Sequence, residues 1–146
     1  MISANRCFID SSALIGFFSE LDSLHIKAKT TLKLLTRNRT KFYLSDYVVD
    51  ETLTRVKQKT DAFQATIARG VIFNMISTGK FRLLWTTRSV FQNTISIFES
   101  HPTPKTFSFT DANILAHIRI KNIPILFTFD RDFKKLGVKT IPTTLR

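Results

Sequence analysis

The sequence predicts an α/β fold in three layers, α/β/α, with a mainly parallel central sheet of four to five strands. Three observations carry this. Short apolar runs alternate with stretches at helical spacing along the whole chain, the signature of strands joined by crossover helices. Two of these runs, one from Cys7 to Ile9 and one from Ile123 to Phe129, read as buried strands, and an aspartate follows each at once, Asp10 and Asp130. A length of 146 residues with 43% apolar content suits one core, hence a single domain over residues 1–146.

The first strand runs from Arg6 to Ile9 and stops at Asp10, after which Ser11 and Ser12 can cap a short helix through Phe17 and Phe18. Leu24 to Asn38 reads as a helix with an apolar side of Ile26, Leu32, Leu34 and Leu35. Lys27, Lys29, Lys33, Arg37, Arg39 and Lys41 make that helix and its exit strongly basic. Phe42 to Leu44 is a short strand, and Ser45 or Asp46 caps a helix through Val49, Leu53 and Val56 to about Lys59. Asp61 precedes an amphipathic helix ending at Gly79, with Phe63, Ile67, Val71, Ile72, Met75 and Ile76 as its core face. Phe81 to Thr87 forms a third strand, and Ser89 to His101 a helix with Val90, Ile95 and Phe98 inward. Pro102 and Pro104 exclude a helix around them. Thr110 caps the next helix, through Ile114, Leu115 and Ile118 to Asn122. Strand Ile125 to Phe129 follows, and a short strand around Lys139 to Ile141 closes the sheet.

Twenty-two Lys and Arg against 11 Asp and Glu give a formal charge of +11, which favours a polyanionic partner, nucleic acid ahead of an acidic protein face. The lone Cys7 excludes an internal disulfide and reads as a packing residue. Asp10 interrupts the N-terminal apolar run with no small-residue cleavage pattern after it, and no run suffices to cross a bilayer. No signal peptide or membrane span is therefore expected, and cytoplasmic residence is the default. Gly16, Gly70, Gly79 and Gly137 form neither a dinucleotide fingerprint nor a P-loop, His25, His101 and His117 lack metal-ligand spacing, and no nucleophile-elbow serine is present.

The acids are scarce enough for their distribution to inform. Asp10 and Asp130 end strands, while Glu51 and Asp111 lie in the first turns of helices entering from the same sheet edge. In a parallel sheet the ligand crevice lies outside the carboxyl ends of the strands, so four acids from four distant stretches can converge there. Singly, each has an ordinary explanation as a cap, a turn former or a solvated helix residue. Together they would repel one another unless a hard divalent cation such as Mg²⁺ joined them through oxygen ligands.

The stretches FIDSSALI, SDYVVDETL, FSFTDANILAHIRIKNI and ILFTFDRDF resemble, in order, the motifs of PIN domains, especially the ribonuclease toxins of VapBC toxin–antitoxin pairs. The resemblance covers nearly the whole chain and implies a PIN-like fold and a Mg²⁺- or Mn²⁺-dependent endoribonuclease. By the same likeness Asp10, Glu51, Asp111 and Asp130 hold the metal, with Asp132 an alternative or addition to Asp130 and Asp50 an alternative to Glu51. Ser11, Ser12, Thr110 and Thr128 are candidate hydroxyls for orienting these carboxylates, or simply caps. Lys33, Arg37, Arg39, Lys41, Arg131, Lys134 and Lys135 are the candidate RNA contacts. A small antitoxin and a homodimer are the implied partners besides RNA. A PIN nuclease of RNA processing or decay without an antitoxin, and an inactive RNA-binding module, are the alternatives.

Overall fold

The structure, a computed structural model, describes residues 6–143. Its elements in chain order are β1 (Arg6–Ile9), α1 (Ser11–Phe18), α2 (His25–Arg37), β2 (Lys41–Ser45), α3 (Asp46–Lys59) and α4 (Ala62–Ser77). There follow β3 (Phe81–Leu84), α5 (Arg88–Glu99), α6 (Phe109–Lys121), β4 (Ile125–Phe127), α7 (Arg131–Lys135) and β5 (Thr140–Ile141). The strands form one sheet in the order β3-β2-β1-β4-β5, and every pairing is parallel. The mainly parallel sheet expected from the sequence is thus wholly parallel, with five strands.

β1 is central because it is covered on both faces and both edges. Cys7, Phe8 and Ile9 are fully buried, as are the facing residues of β4. Burial pushes the Cys7 thiol up to about 12, so it packs and does not react. Right-handed crossovers carry α1 to α4 onto one face and α5 to α7 onto the other. Accordingly α1 packs on α2 and α3, α3 on α4, and α5 on α6. At Gly16 a Cβ would come within 3.3 Å of the Ala28 Cβ, so the missing side chain sets how closely α1 and α2 approach. Where α6 ends, Asn122 turns left-handed (φ 51°), and the Arg6 guanidinium donates to the Lys121 and Asn122 carbonyls at 2.9 and 2.6 Å.

Several sequence expectations change. Asp10, not Ser11 or Ser12, stands at the N-cap of α1, and its side chain makes no capping bond because it is engaged elsewhere. The N-cap of α6 is Ser108, not Thr110. β3 ends at Leu84 and β4 at Phe127, shorter than expected, and a short helix, α7, follows Asp130 where no element is expected from the sequence. The buried face of α2 is Ala28, Thr31, Leu32 and Leu35, leaving Ile26 and Leu34 exposed. α4 buries only Ala68 and Ile72 fully, with Phe63, Ile67 and Phe73 exposed. α5 buries Val90, Thr94 and Ile97, with Phe98 exposed.

His117 on α6 lies 2% exposed against Phe8, ring centroids 6.2 Å apart, with Nε2 3.5 Å from the Thr86 hydroxyl. Burial lowers its pKa, with Asp46 opposing and Lys121 adding to the shift. A base with a depressed folded pKa contributes stability that is present above its unfolded pKa and lost as pH falls through the folded one. The difference in urea midpoint between the protein and His117→Gln should therefore narrow as pH drops from 7.5 to 5. A constant difference would refute the assignment.

Candidate active site

Strand order reverses at β1, which feeds β2 on one side and pairs with β4 on the other, so a crevice opens beyond its carboxyl end. An open pocket of about 310 Å³ occupies it. Asp10, Glu51, Asp111 and Asp130 all line this pocket, together with Ser11, Ser12, Asp22, Arg55 and Lys59. β1 delivers Asp10, the second turn of α3 Glu51, the first turn of α6 Asp111, and the loop after β4 Asp130.

Asp10 is only 3% exposed, and hydroxyls satisfy it. Its Oδ2 accepts from Thr128 Oγ1 at 2.6 Å and Ser12 Oγ at 2.7 Å. Ser11 Oγ lies 3.3 Å from Asp10 Oδ1 and 2.7 Å from Glu51 Oε1, so its single proton is shared between two acids, with Glu51 the closer. Thr128 Oγ1 in turn accepts from the Asp130 N–H at 3.0 Å, and Ser12 Oγ from the Phe129 N–H at 2.9 Å. Asp130 caps α7 through the Asp132 N–H at 2.9 Å. Asp111 forms a capping box with Ser108: its carboxylate accepts from the Ser108 N–H at 2.8 Å, and its own N–H donates to Ser108 Oγ at 3.0 Å.

Burial raises the Asp10 pKa against the Thr128 and Ser12 hydrogen bonds, and the nearby charges of Glu51 and Asp130 raise it further. Burial likewise pushes Asp111 up to about 7, against the Ser108 backbone, and Asp10 and Asp130 add to the rise. The carboxylates therefore sense one another. Among the described residues no three His, Cys, Asp or Glu side chains form a ready-made metal cage. The donors facing the pocket are nevertheless all hard oxygens, which suits an ion such as Mg²⁺ that keeps several waters and takes few carboxylates.

Of the alternatives left open by the sequence, Asp132 does not line the pocket. Its carboxylate accepts from Thr106 Oγ1 at 2.8 Å and pairs with Lys135 at 3.6 Å. Asp50 is exposed and also outside it. Ser11, Ser12 and Thr128 do bond to the acids, whereas among the described residues Thr110 bonds to none of them. Arg131, Lys134 and Lys135 lie on α7 directly after Asp130. Arg37, Arg39 and Lys41 sit where α2 leads into the start of β2, the sheet edge opposite the pocket, and Lys33 on α2 does not line it either. Sequence reasoning missed Ser108, whose S-x-x-D spacing is a capping-box signal, and Arg55 and Lys59, which follow Glu51 at four-residue steps.

Residues 7–139 match the family model described as PIN domain. No curated protein is similar enough in sequence to match. Among solved structures, the chain is similar to Mycobacterium tuberculosis VapC20, a sarcin-ricin loop cleaving toxin. The TM-score is 0.75 at 23% identity, covering 90% of this chain and 95% of that one. It is also similar to VapBC2 from Rickettsia felis, solved bound to a DNA fragment from their promoter, with a TM-score of 0.68 at 13% identity over 92% of this chain and 96% of that one. At such identities the likeness speaks for the fold.

The raised pKa of Asp111 has a stability consequence of definite sign. The folded carboxyl keeps its proton up to about 7, while the unfolded one loses it near 3.8, so stability falls as pH rises across that interval and the full cost is present above it. Asp111→Asn keeps an acceptor for the Ser108 N–H and removes the charge. In EDTA it should raise Tm by roughly 5 °C at pH 8 and by less at pH 5. Equal shifts at both pH values would contradict this.

Proposed function

Since the chain belongs to the PIN domain family, we propose that it is a Mg²⁺- or Mn²⁺-dependent endoribonuclease, the toxin of a VapBC-type pair. The observation that carries this is the meeting of four carboxylates from four distant stretches in one open pocket at the sheet's switch point. Burial first, and the neighbouring carboxylates in addition, raise the pKa values of Asp10 and Asp111, and a bound divalent ion would relieve both costs. Asp10, Asp111, Asp130 and Glu51 would hold it. When bound, the ion supplies charge neutralisation at the phosphate and a more acidic water.

The chain's own residues set the geometry. Ser12 and Thr128 fix the Asp10 carboxylate, and Thr128 also anchors the loop that presents Asp130. Ser108 holds Asp111 at the head of α6. Ser11 holds Oε1 of Glu51, leaving Oε2 to orient the attacking water and accept its proton. Asp132 belongs to the scaffold of α7. Arg131, Lys134 and Lys135 follow Asp130 on that helix and contact RNA phosphates beside the pocket. Arg37, Arg39, Lys41 and Lys33 form a separate basic face, available to more distant RNA. The chain acts as one domain in the cytoplasm, as a homodimer restrained by a small antitoxin. The support for the toxin reading is the fold it shares with VapC20 and VapBC2.

Purified protein with Mg²⁺ or Mn²⁺ should cleave labelled single-stranded RNA, and EDTA should abolish cleavage. Asp10→Asn, Asp111→Asn and Asp130→Asn should each lower the rate about 100-fold or more, while Asp50→Asn stays within about twofold. Cleavage that survives EDTA or Asp111→Asn would sink the proposal. RNA binding without cleavage would favour the inactive binding module, and cleavage by a protein whose expression leaves growth unimpaired would favour RNA processing.

A further inference from the structure

α3 carries Glu51, Arg55 and Lys59 at four-residue steps, which stack along one side of a helix, and all three reach the wall of the acid pocket. The two cations are not used to neutralise the four acids. Glu51, one turn before Arg55, takes its hydrogen bond from Ser11 at 2.7 Å, although a Glu followed by Arg at this spacing is a favourable helical pair. Lys59 pairs with Asp22 at 3.2 Å, and among the described residues Arg55 has no ion pair. Asp22 is itself fixed, its other oxygen accepting from the Leu24 N–H at 2.8 Å, so the ammonium is held at the pocket wall with two of its three donors left over.

The pocket wall thus carries, beside its carboxylates, the Arg55 guanidinium without an ion pair among the described residues and a Lys59 ammonium with two donors to spare. Such a lining fits an extended anion that meets the carboxylates through a divalent ion and the cations directly. A guanidinium offers a planar fork matched to two phosphate oxygens, and an ammonium adds a point charge. We propose that Arg55 and Lys59 form a phosphate-binding subsite that grips the phosphodiester of single-stranded RNA next to the bond being cut, with Asp22 positioning Lys59. This rests on the nuclease reading for the identity of the anion. The subsite sets where the strand sits relative to Glu51, so it acts on binding and register rather than on the chemical step.

The test is anisotropy titration of a fluorescent ten-nucleotide RNA at several salt concentrations, with Asp111→Asn as the common background to prevent cleavage. Arg55→Ala should weaken binding about tenfold and reduce the slope of log K against log salt by about 0.7, and adding Lys59→Ala should remove a similar further amount. Arg119→Ala, an exposed cation in the last turn of α6, is the control for net charge alone. With catalytic residues intact, Arg55→Ala should raise KM more than it lowers kcat, and Arg55→Lys should recover most of the loss. Unchanged affinity and slope overturn the subsite, as does an Arg55→Ala that only tightens Mn²⁺ binding, since the cation would then merely offset the acids. RNA affinity lost on Arg55→Ala in a protein that cleaves nothing would keep the subsite and remove the nuclease reading. Cleavage with unchanged KM would do the reverse.

Discussion

The buried carboxylate of Asp10 is the constraint on which the rest of this arrangement depends. A carboxylate almost out of contact with water is costly unless its oxygens are hydrogen-bonded. Here the hydroxyls come from two directions, Ser11 and Ser12 at the start of α1 and Thr128 just past β4. Satisfying Asp10 therefore ties α1 and β4 to the end of β1, and the Asp10 N–H reinforces the tie by donating to the Phe127 carbonyl at 2.9 Å. The same hydroxyls serve other acids, Ser11 reaching Glu51 and Thr128 receiving the Asp130 N–H. One expensive group orients two others.

A second polar network lies behind the pocket and holds its remaining walls. Ser45, the N-cap of α3, donates to Asn113 Oδ1 at 2.8 Å, and Asn113 Nδ2 donates to Thr86 Oγ1 at 2.9 Å. Thr86 donates on to Asp46 Oδ1 at 2.6 Å. This chain links the start of α3, the turn after β3 and the first turns of α6, the elements that carry Glu51 and Asp111. Buried at Ser45 and Asn113, half-buried at Thr86 and Asp46, and hydrogen-bonded throughout, such a network specifies one relative placement of the helices. The overall charge of +11 acts at longer range, drawing a polyanion towards a molecule whose pocket is locally acidic.

The errors of sequence reasoning follow from what periodicity leaves out. Spacing identifies α2, α4 and α5 as helices but not which apolar stripe meets a neighbour. Ile26 and Leu34 satisfy the helical pattern as well as Leu32 and Leu35 do, yet only the latter are buried in the core. α4 packs on α3 and β3 through Ala68, Ile72, Met75 and Ile76, which leaves Phe63, Ile67 and Phe73 on its outer side exposed. Helix starts differ by one or two residues where hydroxyls compete. Ser11, Ser12 and Thr110 all fit a cap by residue type, but Ser11 bonds to Asp10 and the distant Glu51, Ser12 bonds to the nearby Asp10, and Ser108 lies one turn ahead of Asp111.

By itself the sequence determined the class of fold, the order of strands and helices, and that acids from distant stretches meet at one edge of a parallel sheet, while Asp50 against Glu51 and Asp132 against Asp130 stayed open in it. These are local or topological matters: an apolar run, a helix start, and the rule that parallel strands end on the same side. Tertiary structure decided which neighbours of those acids share the pocket. Asp132 differs from Asp130 only in where Thr106 and Lys135 lie, contacts from 26 residues before and three after. Arg37 and Lys41 stand beside β2 in the chain yet at its opposite end from the pocket, whereas Arg55 and Lys59, unmarked by any run of charge, stand at its wall. The reason is geometric. A strand or helix separates its two ends by its own length, so charges near each other in sequence are divided, and only the packed chain shows which end each one occupies.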